Sequence, residues 1–139
     1  IDNIQMELIN FLIDRFYLSL PLLIVIILLF ISNSKKGGLK ISCQKLIALS
    51  NEDKSLIIDL RDSESFNSGH ITASMNIPLN DLPRRINEIN NNEKSIILVC
   101  EMGSSSPNAG EILKKEGYKD IFILRGGINQ WKMDNLPLV

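Results

Sequence analysis

The sequence predicts an α/β domain built on a parallel sheet covered by helices on both sides, with one apolar transmembrane helix ahead of it. Three observations predict this. The short continuous apolar runs Leu56–Leu60, Ile96–Val99 and Ile121–Leu124 read as strands buried on both faces. Segments with helix start and stop signals alternate with those strands, as a parallel sheet requires. Before them, residues 16–34 (FYLSLPLLIVIILLFISNS) run for nineteen positions without a charge.

Composition narrows the function. Hydrophobic residues make up 45% of the 139 positions, and a large share of them falls between residues 16 and 31. The roughly 100 residues from Lys40 onward suffice for one modest core, burying about two-thirds of the unfolded surface. With 15 basic and 16 acidic residues the net charge is −1, and the basic residues are scattered, which excludes a nucleic-acid partner. Two cysteines and one histidine cannot build a zinc site of about four ligands, and no metal or cofactor is implied. Cys43 starts a helix and Cys100 ends a strand, so no disulfide is implied either. A single cysteine in an α/β setting points instead to a reactive thiol.

At 1.5 Å per residue, a helix over residues 16–34 reaches about 28 Å, close to the thickness of a bilayer core. Pro21 lies near its start, where amide donors are least needed. A helix apolar on every face cannot be enclosed by a domain this small. A cleaved signal peptide is disfavoured, because Asp2, Glu7 and Asp14 outnumber Arg15 ahead of the run and no small-residue cleavage site follows. The reading is an uncleaved, single-pass anchor in the lipid bilayer. Lys35, Lys36, Lys40 and Lys45 follow the run and Arg15 alone precedes it. The positive-inside rule then sets the C-terminal domain in the cytoplasm and the N-terminus outside the inner membrane, and a reducing cytoplasm keeps Cys100 a thiol. Ile4, Leu8, Phe11 and Leu12 share a helical face, which suits an interfacial extension of the anchor or simply its first turns. Ile1 is not a methionine, which points to a start upstream or a non-standard start codon. The expected organisation is an extension over 1–15, the anchor over 16–34, a linker over 35–39 and the domain over 40–139.

Each domain element has its own signal. Ser42 suits the N-cap of a helix over 43–50. After strand Leu56–Leu60, a brief helix over Glu64–Asn67 is ended by Gly69, and Met75–Ile77 forms a short strand before Pro78. Leu82, Ile86 and Ile89 lie at helical spacing over Asp81–Ile89, and Asn87–Asn92 reads as a polar turn. Strand Ile96–Val99 ends at Cys100. A helix over Pro107–Glu116 has proline in its first turn and stops at Gly117. Strand Ile121–Leu124 leads through Gly126–Gly127 into a last helix reaching Met133.

Open parallel sheets bind ligands at the carboxyl ends of their strands. Asp59 and Arg61, Cys100, and Arg125 hold that address. Cys100 opens the loop Cys-Glu-Met-Gly-Ser-Ser-Ser-Pro, in which Gly103 allows the chain to curl and a helix follows. Backbone amides and the helix N-terminus converge on such a concavity and favour thiolate or a bound anionic sulfur. The bland alternative is a small buried hydrophobe, and the loop context outweighs it.

The segment LIIDLRDSESFNSGHITASMNIPL resembles the first signature of the rhodanese-like domain, through Asp59, Arg61, Phe66, Gly69, His70, Ile71, Asn76 and Pro78. The run IILVCEMGSSSPNAGEILKKEGYKDIFILRGGINQW is similar to the second half of that domain, with Leu113, Gly117, Tyr118, Leu124, Gly126, Gly127 and Trp131 in place. Asn135-Leu136-Pro137 matches its usual end, so the resemblance covers about residues 40–139. It implies a doubly wound, rhodanese-like parallel sheet and a sulfurtransferase in which Cys100 takes sulfane sulfur from a donor as a persulfide and passes it to an acceptor. An anchor followed by one such domain resembles the membrane-associated bacterial members.

Residue roles follow from the resemblance. Cys100 carries the sulfur, and Glu101, Met102, Gly103, Ser104, Ser105 and Ser106 form the binding loop. Asp59, Arg61 and Arg125, at the strand ends, are the supporting residues: the first two, two apart, pair and organise the loop, and Arg125 either helps an anion approach or is a solvated surface charge. His70 is a turn residue whose ring bonds backbone, and Trp131 anchors a helix. Active members commonly carry C-x-x-G-x-R, with arginine where Ser105 stands here. Without that guanidinium, and with Glu101 beside the thiol, an anionic donor such as thiosulfate is disfavoured relative to a neutral or protein-bound persulfide. A phosphatase needs a longer loop closed by arginine, and Ser106 disfavours it. The alternative is a catalytically weak module of the same fold that docks a membrane or cytosolic protein partner.

Overall fold

The computed structural model describes residues 2–34, 36–89 and 94–139. Lys35 and the last three positions of the expected polar turn, residues 90–92, lie outside them. Two compact units are present, Ile1–Ser34 and Lys35–Val139.

The first unit is two helices, α1 (Asp2–Asp14) and α2 (Phe16–Ser34). They do not run on as one rod. Among the described residues no single helix is long and apolar enough to cross a membrane. Asp2–Asp14 and Phe16–Ser32 pass that test only as a pair, bent by 90°. The expected spanning helix is therefore not supported. The right-angle bend takes α1 out of line with α2, so the two do not form one continuous span. The turn leaves carbonyls without their usual helical donors, and Ser19 Oγ donates to Leu12 O at 3.4 Å. The Arg15 guanidinium lies 5.6 Å from the centre of the Phe11 ring, a cation–π contact.

The second unit carries the sheet. Its elements are β1 (Leu39–Ile41), α3 (Cys43–Asn51), β2 (Ser55–Asp59), α4 (Ser63–Ser68), β3 (Met75–Asn76), α5 (Leu82–Arg85), β4 (Ser95–Val99), α6 (Ser106–Lys115), β5 (Ile121–Leu124) and α7 (Gly127–Met133). The strands run parallel in the order β1-β5-β4-β2-β3. β4 lies at the centre, and all five of its residues are buried.

Alternate side chains of the strands leave the sheet on opposite faces. One face buries Ile58, Ile96, Leu98 and Cys100 against Leu82, Ala109 and Leu113. The other buries Ile57, Ile97, Val99 and Leu124 against Cys43, Leu46, Ile128 and Trp131. The expected two-sided covering is found. The Ser42 hydroxyl accepts from Lys45 N at 3.2 Å as the N-cap of α3. Two elements differ from expectation. The edge strand β1 was not expected at all. The helix over Asp81–Ile89 is broken into α5 and a 3-10 turn over Ile86–Glu88, which still places Leu82 and Ile89 in the core.

The segment ahead of β1 is packed, not loose. Gly37 N donates to Glu111 Oε1 at 2.9 Å. Its backbone lies so close to Gly110 and Pro107 on α6 that a Cβ at Gly37 or Gly110 would overlap its neighbour.

Candidate functional site

β4 delivers Cys100 to the carboxyl end of the sheet, and the chain then turns through residues 100–105 into α6. Gly103 makes that turn at φ +88, a region open to glycine at little cost, and a Cβ there would press on Gly126 N at 3.2 Å. The curl brings Gly103 N back onto Cys100 Sγ, to which it donates at 3.0 Å.

The start of α7 holds the loop from behind. Ile128 N donates to Cys100 O at 2.9 Å and Asn129 N to Glu101 O at 3.0 Å. Gly127, at φ +60, permits this approach, since a Cβ would strike the backbone of Cys100 and Glu101. A trans peptide points its N–H opposite to its C=O, so the amides of Glu101 and Met102 face away from α7. Among the described residues Gly103 supplies the one backbone amide in contact with the sulfur. The side of Cys100 is otherwise enclosed: it is 4% exposed, in the cluster containing Leu98, Ala109 and Leu113. The sulfur thus has an aliphatic flank and a polar tip.

Asp59 and Arg61 pair at the end of β2, as their spacing suggested. Arg61 Nε donates to Asp59 Oδ1 at 3.0 Å and Nη2 to Oδ2 at 2.8 Å, with both side chains buried. Nη2 also donates to Gly69 O at 2.7 Å, and Nη1 lies 3.8 Å from Glu101 Oε2. The pair reaches the Cys100 loop through Glu101, whose half-exposed carboxylate turns toward this guanidinium. Burial draws the Arg61 pKa down, but hydrogen bonds and charge from Asp59, with Glu101 and Asp62, outweigh it and hold the group above its ordinary value. Asn76 fixes the strand end, its Nδ2 donating to Asp59 O at 3.1 Å and Arg61 O at 2.9 Å.

The remaining loop residues differ sharply in exposure. Met102 and Ser104 are exposed, Ser105 is half-buried, and Ser106 is wholly buried at the first position of α6. Arg125 is exposed and lines a shallow pocket with Ser42, Cys43, Gln44, Gln130 and Asp134. His70 is a turn residue: its Nδ1 lies 2.9 Å from Phe66 O and its ring stacks on Phe66 with centroids 3.9 Å apart. Trp131 packs in the core and its Nε1 donates to Pro137 O at 3.0 Å. Cys43 and Cys100 are free, buried thiols on opposite faces of the sheet. Burial and the Asp134 carboxylate push the Cys43 thiol up, which keeps it protonated.

Sequence reasoning missed the roles of Asn76 and of the α7 amides. The signal for the second was the Gly126–Gly127 pair at a helix start, since two adjacent small residues mark a close backbone approach.

Comparison with known proteins bears on this geometry. The rhodanese-like domain family model matches residues 42–134. The chain is 32% identical over 95 residues to the thiosulfate sulfurtransferase GlpE of Shewanella oneidensis, covering 68% of this chain and 93% of that protein. It is 31% identical over 131 residues to an uncharacterized protein of Buchnera aphidicola subsp. Schizaphis graminum, covering 91% of this chain and 89% of the other. Residues 35–139 alone cannot supply that coverage, so this match runs into the N-terminal helices. The crystal structure of a rhodanese-related protein from Thermoplasma volcanium superposes with a TM-score of 0.65 at 27% identity, over 73% of this chain and 97% of that one. With a strand-end cysteine in a glycine-turned loop, a parallel sheet of the same architecture and a family match over most of its length, this chain belongs to the rhodanese-like domain family.

Proposed function

We propose that the chain is a membrane-tethered sulfurtransferase that carries sulfane sulfur as a persulfide on Cys100. The observation that carries this reading is the Gly103 amide on Cys100 Sγ, found in a chain similar to a thiosulfate sulfurtransferase. An N–H aimed at sulfur can hydrogen-bond the thiolate, the attacking species in sulfur transfer. The Cys100 thiolate attacks the outer sulfur of a donor persulfide. The donor S–S bond breaks, its electron pair leaves on the donor thiolate, and a new S–S bond forms on Cys100. Transfer to an acceptor thiolate repeats the exchange in the other direction, with no net oxidation.

The donor on this reading is a neutral or protein-bound persulfide. Ser105 brings no charge to the loop. Arg61, the nearest guanidinium in the network, is already engaged by Asp59, Gly69 and Glu101. An oxyanion such as thiosulfate would meet the Glu101 carboxylate, which repels it.

The tether is the bent helix pair. α1 carries Asn3, Glu7, Asn10 and Asp14 at spacings of four, three and four, a narrow polar stripe, with Asp2 and Gln5 as the polar residues outside it. That pattern suits a helix lying in a bilayer interface, with α2, apolar all round, entering the bilayer. The lysines after α2 favour the cytoplasmic side of the inner membrane for the domain.

Sulfane-sulfur loading of the full chain in detergent, compared with Cys100→Ala, tests the chemistry. The expected result is one sulfur on the Cys100 peptide of the native protein and none on the variant. Equal labelling of both, at sites other than residue 100, would leave the second reading: a module that docks a protein partner, which the near-complete burial of Cys100 favours.

A further inference from the structure

We infer that the Ser106 hydroxyl is the donor that takes up the outer sulfur of a Cys100 persulfide, so that loading the cysteine stabilises the fold. The inference rests on the persulfide reading above and goes further by separating one serine of the loop from its neighbours.

Ser106 is 0% exposed, and its Oγ has no hydrogen-bond partner within the protein. A buried hydroxyl in that state is costly. Ser104 and Ser105 reach solvent to different degrees and bear no such cost. Among the described residues Ser55 Oγ is the other orphan. It stands at the amino end of β2, at the opposite end of the strands from Cys100.

Direction is set by the helix. Ser106, Ala109, Gly110 and Leu113 form the buried stripe of α6, and Ala109 and Leu113 pack in the cluster that holds Cys100. Ser106 heads that stripe on the same side. Side chains of a helix lean toward its N-terminus, which for the first residue of α6 means over the loop that curls around Sγ. The Gly103 amide already serves Sγ itself. A second sulfur bonded to Sγ brings a new acceptor into the space that the unpartnered hydroxyl faces. In the thiol form Ser106 is a liability; in the loaded form it becomes a contact.

The sign of the effect separates this role from ordinary packing. Ser106→Ala should leave the thiol form at least as stable as the native protein, because an orphan is removed at nearly constant volume. The same change should abolish the stabilisation gained on loading. Inorganic polysulfide serves as the loading probe for the full chain in detergent. The Cys100 thiolate attacks its terminal sulfur, the adjacent S–S bond breaks, and the shortened polysulfide leaves with the electron pair. Peptide mass confirms one added sulfur on Cys100, and Trp131 fluorescence follows thermal unfolding.

Loading should raise Tm of the native protein by about 4–8 °C, the effect of one recovered hydrogen bond in a domain of this size. The rise should disappear in Ser106→Ala and persist in Ser55→Ala, which removes the distant orphan. The persulfide of Ser106→Ala should also lose its sulfur to added thiol severalfold faster. An equal loading shift in the native protein and Ser106→Ala overturns the assignment while leaving the persulfide reading intact. Failure of Cys100 to take up any sulfur overturns the persulfide reading itself, and the assignment with it.

Discussion

Arg61 is shared among three acceptor groups. It holds Asp59 through two nitrogens, Gly69 through a backbone carbonyl, and Glu101 at longer range. Charge-assisted, two-pronged bonds of this kind fix orientation as well as supply energy, and here they tie the ends of β2 and α4 to the Cys100 loop. Replacing Arg61 by leucine would leave Asp59, 1% exposed, as a buried carboxylate without its counter-charge, keeping the backbone amide of residue 61 as a donor. The expected loss is about 3–5 kcal/mol of stability, read as a lowered urea midpoint for the full chain in detergent. A midpoint unchanged within error would show that the network is ornamental. The pairing of Asp59 with Arg61 was legible in the sequence, because residues two apart on a strand share a face. The arrival of Glu101 was not. Its partner lies forty positions earlier in the chain, on a neighbouring strand end, and only the sheet order brings them together.

At the scale of elements, the first turn of α7 acts as a backstop for the Cys100 loop, and Gly127 is where the two backbones meet. Gly127→Ala introduces a side chain at φ +60 against the carbonyls of Cys100 and Glu101. It should cost about 2–4 kcal/mol and loosen the hydrogen bonds from Ile128 and Asn129, so that Cys100 reacts faster with a bulky alkylating reagent. Unchanged alkylation kinetics together with native stability would refute the backstop role. The central strands were readable from their apolar runs, α3 from its Ser42 cap, and α6 and α7 from the proline and glycines that bound them. β1 was hidden: its three residues include exposed Leu39 and Lys40, so no apolar run betrays an edge strand whose pairing with β5 is decided by tertiary contact. The broken helix after Pro83 was hidden for a different reason. Leu82, Ile86 and Ile89 satisfy a helical period equally well when two short turns replace one longer helix, and periodicity cannot tell those apart.

At the scale of the whole chain, the two units pose different problems to water. The second buries most of its large apolar side chains within itself, whereas the first leaves Leu22, Leu29 and Phe30 among many that are at least half exposed. That much apolar surface demands a covering, and on the tether proposal a bilayer would supply it. The full chain should therefore remain with vesicles of anionic and zwitterionic phospholipid through an alkaline carbonate wash. Quantitative release into the supernatant would end the tether proposal. The apolar character of this region was plain in the sequence, but its right-angle turn was not, because nothing in the composition around Arg15 breaks a helix as a proline or glycine would.

The pinch of Gly37 against Gly110 bears on where the folded part of this chain can be cut. A fragment trimmed to the family match at residue 42 would lose β1 altogether, strip the Glu111 carboxylate of its amide, and leave Phe122–Leu124 as a raw hydrogen-bonding margin. Such a margin recruits other strands. Clumping of that fragment would then report a missing selvedge, and not a fault in the chemistry at Cys100.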